Sequence, residues 1–415
     1  MSLYRQFPIA SDRMGILWTT LPIHDCAVIE YGPAGTTHYG TEIIGDLGIP
    51  IKQNFFSTHV DESDIIMGDI SRLENAIKEV DTRYHPRCIF VVGSSLTSVI
   101  AADITGTCRM MSKEISAKLI PFEHGGFRGD YSLGIRDALS ETVKAIVEQT
   151  TETVRGTYNI IGACHDIYRI GSDVNEIKHI MKECFHMEAA CILPYDCDYD
   201  TIQECAKAEL TLVIRDEAIP AGETIALRGK TKLAKGVPYG YEGTKNWILM
   251  IADILNKEPD ASYMANLDQK IQWAKLNGRQ FMFSGLKNKV IIEGAAYVVK
   301  GLGEFFKNEL FYEVEGIASH SLKYCQALPE YIKFYEEEKD KLALIRAYDN
   351  AMLLGSAPIL NEAAKNTVKM LISFPILHGS VVATHMPFMG IHGADLIMEQ
   401  VMAYKNDMTI RFMMQ

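Results

Sequence analysis

Short apolar runs alternate along the chain with stretches whose apolar residues recur every three or four positions. This is the pattern of parallel strands joined by helices. Strands are expected at residues 26–30, 88–92 and 118–122. Ile70, Leu73, Ile77 and Val80 share one face of a helix between the first two, and a long amphipathic helix at 132–148 closes the unit. A second unit opens with a strand at 159–164, followed past Gly171 by a helix that Asp173 would cap, with Glu176 three residues on. Strands at 189–193 and 210–215 and helices at 244–255 and 266–276 lead to Asn277-Gly278, a natural boundary. The third unit reads as strands at 280–283, 312–317, 351–354 and 370–374, with a helix at 294–307. Within it, the charge-rich stretch 331–341 reads as a solvated helical face, and a helix at 394–404 and a strand at 408–412 end the chain. The expected fold is α/β: three Rossmann-like domains near 1–157, 158–277 and 278–415, with parallel sheets flanked by helices.

Composition narrows the function. The chain has 415 residues, 47% hydrophobic and 23% charged, enough to build several cores. A formal charge of −12 argues against a nucleic-acid partner, whose phosphates demand a basic surface. No apolar run reaches the length of a membrane span, and the first residues carry no cleavage pattern, so a cytoplasmic protein is expected. Nine scattered cysteines, an odd number with no CxxC spacing, suit reduced thiols better than a disulfide framework. Cys191, Cys197 and Cys205 are close in sequence, which does not by itself bring them together.

Ligands of open parallel sheets bind beyond the carboxyl ends of strands. Those ends carry Cys164-His165-Asp166, Arg215-Asp216-Glu217, Ser284-Gly285, Gly355-Ser356 and Pro375-Ile376-Leu377-His378. Ser and Asp at such places also cap helices, so each has a structural alternative. Three further segments stand out. Residues 30–39 hold two glycines after a strand but neither a P-loop lysine nor GxGxxG, which disfavours nucleotide binding. Residues 122–131 hold Gly125, Gly126 and Gly129, which let backbone pass close to a helix or a ligand. Residues 374–393, FPILHGSVVATHMPFMGIHG, place three histidines and three glycines in twenty residues.

At these places the chain resembles the nitrogenase component 1 superfamily, which includes nitrogenase subunits, cofactor-assembly scaffolds and dark-operative protochlorophyllide reductase subunits. Residues 30–36 are similar to the family's His-Gly-Pro-x-Gly-Cys turn, 57–68 to its threonine- and serine-rich stretch, and 93–104 to the segment carrying its next cluster cysteine. Residues 126–134 resemble its Gly-Phe-x-Gly-Ser segment, 159–162 its NIIG strand and 374–393 its C-terminal block. Six blocks stand in the family's order.

The resemblance implies a boundary iron–sulfur cluster held by three cysteines per cluster-bearing subunit, but here those places are Ser11, Thr36 and Ser95. Hydroxyls are poor substitutes for thiolates, so no boundary cluster is expected on this chain alone, and no metal-ligand set is assigned. The family's large cofactor is held by one Cys and one His. Those places fall near Ile214-Arg215 and within 376–385, with His378 the better candidate and His385 next. Arg215, His378, His385, Gly126 and Phe127 are therefore the candidate cofactor-binding residues; no catalytic residue is assigned. Arg215 would favour an anionic ligand such as a carboxylated tetrapyrrole.

Two readings follow from the resemblance. One is a subunit of a nitrogenase-like oxidoreductase, binding a cofactor or substrate in the inter-domain cleft. It would pair with a homologous subunit through the N-terminal domain, as a homo- or heterodimer or larger assembly. It would take any iron–sulfur cluster from that partner and electrons from an ATP-dependent iron–sulfur reductase. The other is a non-catalytic scaffold holding a metal cofactor precursor or a tetrapyrrole. In that case His24, His38, His59, His124, His378, His385 and His392 are the pool of axial ligands.

Overall fold

The computed structural model describes residues 8–46, 54–283, 288–376 and 384–413. Three parallel sheets organise it. The first contains β1 (Cys26–Tyr31), β2 (Phe55–Ser57), β3 (Cys88–Gly93) and β4 (Lys118–Phe122), in the order β2-β1-β3-β4. The second repeats that order with β5 (Val154–Ala163), β6 (Glu188–Pro194), β7 (Ala208–Val213) and β8 (Lys232–Lys235), arranged β6-β5-β7-β8. The third contains β9 (Lys289–Gly294), β10 (Glu313–Ala318), β11 (Ile332–Phe334), β12 (Met352–Gly355) and β13 (Val368–Leu371), in the order β11-β10-β9-β12-β13.

Strand alternation sends successive side chains to opposite faces. In the first sheet Ile29, Ile89 and Val91 pack with Leu73, Ile77 and Val80 of the helix Ser71–Tyr84. Val28, Phe90 and Val92 face the other way, into a core that also contains Ile161, Leu193 and Val213 of the second sheet. The second sheet's opposite face, with Tyr158, Ile160 and Leu212, shares one core with Val290, Ile292 and Leu354 of the third. The middle sheet is thus enclosed on both faces.

Two helices, Asp12–Thr20 and Tyr131–Ile146, lie within the seam between the first two sheets, closer than side chains allow. A Cβ built on Gly134 would fall 1.8 Å from the Asp12 carbonyl oxygen, and one on Gly15 would fall 2.0 Å from that of Tyr131. Only glycine fits either place.

Four expectations are corrected. Residues 280–283 continue the helix Ala261–Phe283 rather than forming a strand, and Asn277 and Gly278 lie inside that helix. The strand that opens the third sheet is β9. Residues 408–412 lie in the helix Gly390–Met413, because an apolar run too short to show its period extends a helix as readily as it forms a strand. The stretch 331–341 divides into β11 and the start of the helix Glu338–Ala347. Finally, Asp173 does not cap the helix Ile170–Phe185: Arg169 is at its N-cap without a side-chain bond, and Asp173 bonds a distant segment instead.

Candidate functional site

In each sheet the strand order changes direction beside its first strand: between β1 and β3, β5 and β7, and β9 and β12. Carboxyl-end crevices at such points are where open α/β sheets hold ligands. The residues at the three crevices come from Gly32, Thr36, Ser94 and Ser95; from Asp166 and Arg215; and from Glu293 and Ser356.

At the first crevice a Cβ on Gly32 would meet Ser94 Cβ at 2.5 Å and Thr36 Oγ1 at 3.5 Å. Gly126, at φ +101°, approaches both Ser11 Oγ and Ser95 Oγ: a Cβ there would lie 3.0 and 3.5 Å from them. The structure therefore gathers Ser11, Ser95 and Gly126, with Thr36 at the start of the adjoining helix Ala34–Asp46. Two of the hydroxyls are occupied, Thr36 donating to the Pro33 carbonyl at 2.8 Å and Ser95 to that of Gly125 at 2.5 Å. Arg13 is ion-paired with the fully buried Glu30, and its Nη2 also donates to the Thr36 carbonyl at 3.3 Å. Three hydroxyls offer no thiolate, so these residues do not fit a boundary iron–sulfur cluster. Phe127 points outward, 69% exposed.

At the second crevice Arg215, its side chain fully buried, donates from Nη1 to Asp166 Oδ1 at 2.8 Å and from Nε to Glu217 Oε2 at 3.0 Å. Its guanidinium also lies 5.5 Å from the Tyr297 ring centroid. Two carboxylates share one cation and move in opposite directions. Burial raises the Asp166 pKa despite the Arg215 charge. Burial also opposes ionisation of Glu217, but the Arg215 guanidinium outweighs it and holds the carboxyl at about 2. His320 Nε2 accepts from the Ala296 amide at 3.1 Å and stands 3.6 Å from Glu217 Oε1. Asp166 Oδ2 and Arg215 Nη2 have no partner among the described residues.

At the third crevice Glu293, 3% exposed, is the next-to-last residue of β9. Its Oε2 accepts from the Ser356 amide at 2.8 Å and from Ser373 Oγ at 3.0 Å.

A cavity of about 270 Å³ lies among these elements, reached by Ser11 and Trp18 of the first unit, Asp166 and Tyr168 of the second, and Glu293 and Ser373 of the third. Phe334, Tyr335, Glu338 and Lys341 also line it, so the segment read as a solvated face is a cavity wall, and Glu338 is 5% exposed. Arg215 lines a neighbouring pocket of about 320 Å³ with Tyr239 and Tyr297, and its neighbour Asp166 lines the first. The four described candidates do not meet: Gly126 and Phe127 belong to the first crevice and Arg215 to the second. His385 is exposed, following Thr384, whose carbonyl accepts from Asn175 on the middle unit. His378 lies outside the described residues. His392 bonds Glu176 through Nδ1 at 2.7 Å. Glu293 escapes a reading of the sequence because its strand does; a strand placed at 289–294 would put it at a carboxyl end.

The family model for nitrogenase component 1 type oxidoreductases matches residues 11–404. The chain belongs to that family. Among its relatives, the nitrogenase iron-molybdenum cofactor biosynthesis protein NifE of Clostridium pasteurianum is 28% identical over 296 residues, 68% of this chain and 62% of that protein. The nitrogenase molybdenum-iron protein alpha chain of the same organism is 29% identical over 202 residues, 46% of this chain and 37% of that one. A light-independent protochlorophyllide reductase subunit of Jannaschia sp. is 22% identical over 331 residues, 78% and 62% of the two chains. The matches span less than two thirds of these relatives' own length. The solved structure of nitrogenase Cp1 at pH 6.5 superposes with a TM-score of 0.80 at 17% identity, over 99% of this chain and 96% of that one, which establishes the fold.

Within this nitrogenase component 1 frame the thiols serve as core. Eight of the nine cysteines are buried and Cys325 is half-buried. Cys191, Cys197 and Cys205 do come together, in one apolar cluster with Cys26 and Cys88. Among the described residues no three His, Cys, Asp or Glu side chains are placed to hold a metal ion. None of these residues forms a helix long and apolar enough to cross a membrane.

Proposed function

We propose that this chain is a subunit of a nitrogenase-like complex that binds a cofactor or substrate in the cavity between its three sheets and relies on a homologous partner for any iron–sulfur cluster. The observation that carries the reading is the cavity itself, bordered by the crevice residues Asp166, Glu293 and Ser356 with Ser11 from the hydroxyl-lined first crevice. Partner binding is assigned to the carboxyl edge of the first sheet. There Ile66, Met67, Val99 and Phe127, each at least 69% exposed, follow β2, β3 and β4. A cytoplasmic location and the division near 1–157, 158–277 and 278–415, with the helix Ala261–Phe283 running across the last boundary, belong to the same proposal. Anaerobic co-expression with a cysteine-bearing homologue tests it. Stoichiometric iron and sulfide in the complex, with neither in the chain alone, supports the reading, whereas a stoichiometric cluster on the isolated chain overturns it.

A second reading is a scaffold that carries a cofactor precursor without turning over substrate. Its support is the similarity to NifE, a cofactor biosynthesis protein, together with the occupation of Arg215 by two carboxylates. Ligand that leaves the complex unchanged under reducing, ATP-supplied conditions favours this reading over an oxidoreductase.

A further inference from the structure

We propose that the cavity between the sheets selects an organic cation, a ligand with a protonated amine on an apolar body. This inference rests on the cleft-binding reading above and names the ligand class of that site.

Its basis is the sign of the lining. Glu293, Glu338 and Asp166 reach the cavity, each with at most 6% of its surface exposed. Among the described residues, cations reach it from Arg13 and Lys341. Arg13 is held by Glu30, outside the lining, and contributes no net charge. Arg215 is shared by Asp166 and Glu217, and His320 beside Glu217 uses Nε2 as an acceptor and adds no counter-charge, which leaves that group negative. Even with Lys341 set against Glu338, Glu293 and the Asp166 group give an excess of negative charge. The Glu293 carboxylate is also fixed in place, since the Ser356 amide and Ser373 hydroxyl hold one oxygen. Asp166 Oδ2 is an acceptor with no partner among the described residues, on a side chain only 2% exposed.

The rest of the wall suits the body of such a ligand. Trp18, Tyr168, Phe334, Tyr335 and Phe374 supply aromatic surface, and an aromatic face attracts a cation as well as an apolar group. An anion would meet the same rings and carboxylates unfavourably, because a buried charge needs an opposite partner. The polarity is therefore opposite to the one that Arg215 suggests when read from sequence alone.

The test is titration of the full chain at neutral pH with 1-naphthylmethylamine and with 1-naphthoate, which share a ring system and differ in charge. Calorimetry and tryptophan fluorescence follow binding. The amine is expected to bind at least tenfold tighter than the acid, and Glu293→Gln should remove most of that preference while keeping the oxygen acceptor for Ser356. Lys341→Met, a half-buried helix position, provides a second variant should Glu293→Gln not fold, and it should tighten amine binding severalfold. Naphthoate binding as tightly as the amine overturns the inference and leaves the cleft-binding reading intact. Failure of both probes to bind removes the cleft-binding reading and the inference with it.

Discussion

Asp173 and Phe388, 215 residues apart, are joined by a 2.6 Å hydrogen bond from the Phe388 amide to Asp173 Oδ1. The same oxygen accepts from the Met389 amide at 3.0 Å. One turn further along the helix, Glu176 receives His392. Two carboxylates of the middle unit thus hold the entry to the last helix.

Burial pushes the Asp173 carboxyl up to about 7, in spite of the two amides that favour its ionised form. Between its ordinary value of 3.8 and about 7 the unfolded chain has released this proton and the folded chain has not. The contribution of Asp173 to stability therefore declines as pH rises through that window and levels off above it. Asp173→Asn, which keeps an oxygen acceptor, should lose this slope. Its stability relative to the parent should improve from pH 4 to 7 by up to a few kcal/mol, at about 1.4 kcal/mol per pH unit. Denaturant melts of both proteins across that range check it, and parallel pH profiles would exclude the assignment.

Gly134→Ala should destabilise the first unit by at least about 2 kcal/mol, because the new methyl meets a backbone carbonyl that no rotamer change can move. Gly35, whose Cβ would enter open space, is the matched control. Equal denaturation midpoints for the two alanine variants would show that the helices Asp12–Thr20 and Tyr131–Ile146 are less tightly apposed.

Arg215→Leu leaves Asp166 and Glu217 buried without their cation, and removing one partner of a buried ion pair costs roughly 3–5 kcal/mol. Adding Asp166→Asn and Glu217→Gln to the same chain should recover much of that loss. A triple variant no more stable than Arg215→Leu would assign the cost to lost packing against Tyr297 instead.

Burial raises the thiol pKa of Cys108, Cys164, Cys184 and Cys325 to about 12. An aromatic disulfide reagent should find no fast thiol in the native chain at pH 8, and all nine after denaturation. Several rapid native thiols would mean that the shared core opens.

The sheets are legible in the sequence where strands are long or flanked by turns: β1, β3 and β4 fall within a residue of the expected bounds. Edge strands of three or four residues, such as β2, β8 and β11, carry too little alternation to register. At 280–283 aromatic content outweighs the helical period that runs on from Ala261, and β9 is lost with it. The site inherits that error, since Glu293 becomes a carboxyl-end residue only once β9 exists. Asp166 and Arg215 are both readable as strand-end residues, because parallel strands put those ends on one edge. Their pairing across 49 positions is not readable, nor is the use of Asp173 by Phe388. Such partners are chosen by the packing of sheets, which no local pattern encodes.

The shared core sets an order for synthesis. Tyr158, Ile160 and Leu212 are covered together with Phe388, Ala394, Ile397 and Val401. A ribosome that has finished the middle sheet and its helices has yet to make the segment that packs over those helices. The first unit's outer core, built from residues 27–117, has all its parts early. The nascent middle unit must keep the outer side of its helices Ile170–Phe185 and Tyr241–Leu255 uncovered almost until release, a demand on holding chaperones that a self-contained middle domain would escape. Stalled chains ending before residue 388 should accordingly remain open to protease along those two helices, while the first unit resists.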